Sequence, residues 1–113
     1  MEETKFPKCE LDEVIVGNIL PAGLGQGVGR QVSINAGIPK EVPAYSLNMV
    51  CGSGMKTIMI AYTSIKAGFH NMVLVGGIES MSMAPNIIPG RVRQGYKMGG
   101  FTVTDHMIAD ALT

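Results

Sequence analysis

Short apolar runs alternate along this chain with longer stretches of mixed spacing, and glycine or proline separates them. Val14 to Leu20 reads as a buried strand, led in by Asp12 and Glu13 and ended by Pro21 and a loop holding Gly23, Gly25, Gly27 and Gly29. A helix is predicted from about Gly29 to Ala36, closed by Gly37 and Pro39. After Pro43 a strand is predicted from Ala44 to about Met49. A helix then opens at Cys51 and runs to Ala67, with Gly68 as its C-cap. Met72 to Val75 is a short continuous apolar strand ending in Gly76 and Gly77. From Ser80 the pattern loosens into a loop punctuated by proline and glycine, and a last helix begun by Thr104 and Asp105 still runs at Thr113. Strands alternating with helices predict an α/β fold built as βαβαβ.

The helix after Cys51 carries Met55, Ile58, Met59, Ile60, Ala61, Tyr62, Ile65 and Ala67, far more than one apolar stripe. It is predicted to be buried on most sides, with Lys56 and Lys66 as the exceptions. A length of 113 residues allows one domain at most, and 46% apolar composition suffices for a core. Nine basic and nine acidic residues cancel, without a Lys/Arg cluster, so nucleic acid is excluded as a partner. Residues Met1 to Lys8 form no apolar signal core, and no run approaches the roughly 18 apolar residues that span a bilayer, so no membrane role and a cytoplasmic location are predicted. Cys9 and Cys51 lack secretory context and metal-ligand spacing, which predicts neither disulfide nor zinc site.

Candidate chemistry centres on Cys51, in the run Asn48-Met49-Val50-Cys51-Gly52-Ser53-Gly54-Met55-Lys56. There a strand gives way to a helix start. Free N–H groups and the helix dipole favour a thiolate and can hold an oxyanion, while small neighbours keep the sulfur open. The plain alternative is an inert core thiol. The glycine-rich loop fails the dinucleotide fingerprint in each frame, since Val28, Arg30 and Val32 stand where a third glycine is required. It reads as a tight backbone passage, with Arg30 structural. His70, after a helix end, and His106, in a first helical turn beside Asp105, read as capping or turn residues rather than bases for the thiol.

The run Ser46 to Lys56 resembles the acyl-enzyme signature of thiolases, and Gly76-Gly77-Ile78-Glu79-Ser80-Met81-Ser82-Met83-Ala84-Pro85 resembles a second landmark of that family. Val16 to Gln26 and Arg30-Gln31 resemble the family's second strand with the loop and helix after it. The resemblance extends over the chain from about Leu11, and its Cys-Gly-Ser-Gly-x-Lys form is closest to biosynthetic acetoacetyl-CoA thiolases, or acetyl-CoA acetyltransferases. It implies a partial thiolase N-terminal α/β domain over residues 1–80 and the start of a loop domain over 81–113.

The implied reaction is condensation of two acetyl-CoA to acetoacetyl-CoA and CoA, and its reverse, through an acyl thioester on Cys51. The Cys51 backbone N–H would lie in the oxyanion hole, and coenzyme A thioesters would be substrates without a metal or redox cofactor. Full-length relatives imply a homodimer or homotetramer, paired through the strand at Ala44 to Met49. The Gly-His-Pro histidine and Cys-x-Gly cysteine of the family's second half find no counterpart here. Its first strand, expected in mid-sheet, is also missing, which would leave the strands at Val14 and Met72 with unpaired edges. The chain then reads as a fragment, inactive alone. The alternatives are a non-catalytic thiolase-like module and a degradative 3-ketoacyl-CoA thiolase.

Overall fold

Val14, Ile15 and Val16 are an unbroken apolar run, the pattern of a strand covered on both faces. In the computed structural model, which describes residues 5–113, they form the central strand of a parallel sheet. The elements follow as β1 (Glu13–Gly17), α1 (Val28–Asn35), β2 (Ala44–Leu47), α2 (Ser53–Lys66) and β3 (Val73–Gly77). The sheet order is β2-β1-β3, with Val14 level with Ala44 and Leu74. Each crossover is right-handed by rule, so reversing the direction of travel across the sheet puts α1 and α2 on opposite faces.

On the α1 face, Val14 and Val16 pack with Leu11, Ile38 and Val42, joined by Val32, Ala36 and Leu74. On the other, Ile15 is fully buried, and α2 turns Ser53, Thr57 and Ala61 inward at four-residue spacing. Burying one aliphatic side chain of this kind stabilises by about 1.5–3 kcal/mol. Two glycines set how closely the layers approach. A Cβ on Gly29 would lie 2.4 Å from the Tyr45 carbonyl oxygen, and one on Gly17 would lie 2.9 Å from the Ser53 carbonyl carbon. Both helices end as their sequence predicts, in Schellman turns: Ile38 N–H donates to Ser33 and Phe69 N–H to Ser64, across Gly37 and Gly68 at φ +73° and +78°.

The sheet has no open central position. β1 pairs along its length with both β2 and β3, so the expected unpaired edges between the Val14 and Met72 strands do not exist. The strand at Val14 is also shorter than expected, ending at Gly17. Asn18 N–H makes the last bond to β2, and beyond it the chain leaves the sheet because the Glu79 carboxylate takes the N–H groups of Ile19 and Leu20.

The helix α2 departs from its prediction in two ways. Cys51 lies outside it, in the turn before the N-cap Gly52. Nor is α2 buried on most sides: Met55, Ile58, Met59, Tyr62 and Ile65 are exposed, Met55 at 70%. The sheet accepts the small face of this helix, and the large apolar side chains stand on the opposite one.

Beyond β3 the backbone forms 3-10 turns at Met81–Met83 and Gly90–Gln94 and an antiparallel pair of β4 (Asn86–Ile87) with β5 (Thr104–Asp105). The predicted last helix begins later than expected, at His106, since Thr104 and Asp105 are taken by β5. Asp105 still caps that turn, its carboxylate accepting Met107 N–H at 2.8 Å. The radius of gyration is 17.7 Å, against about 13 Å for a compact domain of this size, and the long axis reaches 57 Å.

Candidate active site

The turn from β2 into α2 is tight, and its tightness presents the Cys51 thiol. Asn48 accepts Val50 N–H through its side-chain oxygen at 2.9 Å, an Asx turn. Ser53 closes the turn from the other side: its hydroxyl accepts Met49 N–H at 2.8 Å and donates to the Val50 carbonyl at 2.6 Å. Between them Val50 is held at φ +47°, a conformation that a β-branched residue adopts only at a cost of about 1–3 kcal/mol. The strained residue directly precedes Cys51.

Cys51 is exposed and lies at the mouth of a cleft of about 270 Å³, walled by Gly17, Ile19, Val50, Ser53, Gly77, Ile78 and Glu79. The cleft sits at the carboxyl ends of the strands, where open α/β sheets place their ligands. The Cys51 N–H meets no acceptor among the described residues, so it can donate to an oxygen beside the sulfur. The positive end of the 14-residue helix α2 faces the same place. A larger groove of about 400 Å³ runs along α2 past Lys56, Met59, Ile60, Thr63, Ser64 and Phe69, without Cys51 in its lining.

The cleft's other wall is tied by Glu79, just past β3. Its carboxylate accepts Ile19 N–H at 2.8 Å, Leu20 N–H at 2.9 Å and the Asn18 side-chain amide at 3.1 Å. That amide also donates to the Ile78 carbonyl at 3.0 Å, and Asn18 is 4% exposed. Asn18, Asn48 and Glu79 were not singled out as site residues by their sequence alone. A lone acid two positions after a Gly-Gly strand end is the one signal that marks Glu79.

Neither histidine lines the cleft. His70 lies past the far end of α2, about 20 Å away by helical rise, with Nδ1 2.7 Å from the Ser64 hydroxyl and 3.7 Å from Glu13. His106 is buried, with Nδ1 2.5 Å from the Asp110 carboxylate. Arg30 donates to the Lys40 and Val42 carbonyls, a structural role as expected. Cys9 is exposed in a separate 3-10 turn. No group of three or more metal-ligating side chains converges among the described residues, and no helix there is long and apolar enough to cross a membrane.

Comparison with known proteins gives a consistent picture. The family model described as "Thiolase, N-terminal domain" matches residues 1–113. Over the whole chain, a probable acetyl-CoA acyltransferase of Staphylococcus epidermidis is 47% identical and one of Staphylococcus aureus 45% identical. The chain spans 28% of the length of each of these relatives. Among solved structures, the Acat5 thiolase of Ascaris suum in complex with coenzyme A aligns with a TM-score of 0.89 and 39% identity. That alignment covers 98% of this chain and 28% of that one.

Proposed function

The chain belongs to the thiolase family through its N-terminal domain, and from that premise we propose that Cys51 is the acyl-accepting nucleophile of a thioester-dependent acyltransferase. The observation that carries this is the exposed thiol in a strained turn at a helix start, with its own N–H free beside it. In the forward direction the Cys51 thiol gives up its proton to a base, its thiolate attacks the carbonyl of acetyl-CoA, and the CoA thiolate leaves and takes up that proton. A second acetyl-CoA, deprotonated at its α-carbon, then attacks the acetyl group and regenerates the thiolate, giving acetoacetyl-CoA. The Cys51 N–H and the start of α2 stabilise the oxyanion at each addition. Exchange between thioesters changes no oxidation state, so no redox cofactor enters the scheme.

Glu79, the one acid among the cleft's described residues, has its carboxylate occupied by three donors, and His70 and His106 lie elsewhere, so proton transfer needs groups from outside the cleft. Full turnover is therefore assigned to the full-length protein and the acylation half-reaction to this chain's own residues. We place the domain boundary near residue 80, with 81–113 opening a loop domain. The edge strand β2 is the proposed pairing edge of a homodimer. A cytoplasmic location accompanies this reading.

A second reading, cleavage of longer 3-ketoacyl-CoA, is supported by the apolar Ile19, Val50 and Ile78 in the cleft wall and by the name acetyl-CoA acyltransferase carried by the relatives. Both are tested by incubating the chain with acetyl-CoA or a longer acyl-CoA and recording its intact mass, with Cys51→Ser as control. One acyl group gained by the chain and absent from the control is expected, and its preferred length decides between the readings. A folded chain whose Cys51 reacts with iodoacetamide but gains no acyl group would sink both, and leave a non-catalytic module.

A further inference from the structure

We propose that Glu79 is a positioning residue for Cys51, fixing the thiol-bearing turn through the loop after β1. This rests on the reading of Cys51 as the nucleophile. The Glu79 carboxylate grips three donors some 60 positions earlier in sequence: Ile19 N–H, Leu20 N–H and the Asn18 amide. No lysine or arginine forms an ion pair with it among the described residues, so its charge is directed at these donors.

The gripped loop in turn holds the cysteine turn. Asn18 N–H donates to the Leu47 carbonyl at 3.0 Å, at the end of β2, and Ile78 N–H donates to the Gly17 carbonyl at 3.0 Å. Gly17 lies against Ser53 and Gly54 at the start of α2. Asn48 reaches back to the Ile19 carbonyl over a long 3.5 Å, and the same side chain holds Val50 in its left-handed conformation. One carboxylate thus sets the loop, the loop sets the end of β2, and Asn48 passes that placement to the residue before the thiol. A strained turn keeps its geometry only where its surroundings over-determine it, and this chain of contacts supplies that restraint.

Charge and position make opposite predictions, which gives the test. Deleting a carboxylate beside a thiol by itself favours the thiolate and lowers the pH at which the thiol reacts. Loosening the turn removes the thiol from the helix start and raises that pH. The rate of carboxamidomethylation by iodoacetamide is followed against pH at Cys51 and Cys9 in the same molecules, by peptide mass spectrometry, with thermal unfolding alongside. In Glu79→Gln the Cys51 profile is expected to move up by about one pH unit, tenfold in rate at fixed pH, while the Cys9 profile stays in place.

A profile that moves down, or stays while the unfolding temperature falls, overturns the proposal. Should Glu79→Gln fail to fold, Asn48→Ala breaks the same chain with the carboxylate intact, and an unmoved Cys51 profile in it overturns the proposal equally. Acyl transfer from acetyl-CoA separates the two readings. A shifted alkylation profile in a protein that takes no acyl group sinks the acyltransferase reading alone. Acyl transfer to Cys51 at an unchanged rate in Glu79→Gln sinks the positioning role alone.

Discussion

The two ends of β1 are held by the same device. Before the strand, Asp12 accepts Asn71 N–H at 2.7 Å and Met72 N–H at 2.9 Å. After it, the loop offers Ile19 N–H and Leu20 N–H to Glu79 at 2.8 and 2.9 Å. Each carboxylate takes two consecutive backbone donors from a segment about 60 positions away and so joins β1 to the chain around β3. The Asp12 clamp lies at the opposite end of β1 from Cys51, and it serves the entry of the chain into β3. The Glu79 clamp forms a wall of the Cys51 cleft. The same pairing of a carboxylate with two backbone N–H groups is therefore structural at one end of the sheet and, at the other, where Glu79 also takes the Asn18 amide, borders the Cys51 thiol. The difference comes from what the strand ends face, since the carboxyl ends of parallel strands open toward helix N-termini.

The contrast is broken most severely at the thiol itself. Cys51→Ser is expected to abolish acyl labelling from acetyl-CoA, while Cys9→Ser leaves it unchanged, both read by intact mass. Gly17→Ala comes next, because its new Cβ would press on the Ser53 backbone at the start of α2. A loss of about 1–3 kcal/mol in denaturant unfolding is expected, together with slower alkylation of Cys51. The corresponding change at the Asp12 end should lower stability without touching the thiol. Relief of strain is a smaller effect: Val50→Gly accepts φ +47° readily, and the unfolding free energy should change by no more than about 1 kcal/mol while Cys51 reactivity falls as the turn loosens.

The smallest expected effect sharpens the comparison through pH. Asp12 is held below its usual carboxyl value of 3.8 by the backbone N–H groups of Met72 and Asn71. A lowered folded value means that the clamp stabilises fully above 3.8, the value in the unfolded chain, and loses its contribution as pH falls through the folded value. Asp12→Asn should therefore be less stable than the parent near neutrality, and the gap should close in acid. Equal alkylation profiles for Cys51 in the two proteins would confirm that this end of β1 is structural. A shifted profile would erase the distinction between the ends.

Much of this was legible in the sequence because it is written locally. The order of strands and helices follows from hydrophobic runs between glycines and prolines, and the helix ends from Gly37 and Gly68. Cys51 at a strand-to-helix junction, between Asn48 and Ser53, was readable at the level of residue type. The strain at Val50 was not. Nor was the lateral order β2-β1-β3, which rests on backbone pairing between segments some 30 and 60 residues apart.

Hydrophobicity along α2 recorded that its large side chains seek cover, and periodicity recorded that it is a helix. Neither could state which face this sheet would take. The close approach at Gly17 admits the face of Ser53, Thr57 and Ala61, and leaves Met55, Ile58, Met59, Tyr62 and Ile65 outward. The Glu79 clamp was hidden for the same reason. A hydrogen bond between residues 60 positions apart leaves no period or spacing in the chain, and only the packing of β1 against β3 brings acid and donors within 3 Å. The sequence by itself determined the order of strands and helices, the two glycine-capped helix ends and the place of Cys51 at a strand-to-helix junction. Tertiary structure decided which faces are covered and which distant carboxylate stands in the wall of the Cys51 cleft, because those depend on contacts that only folding creates.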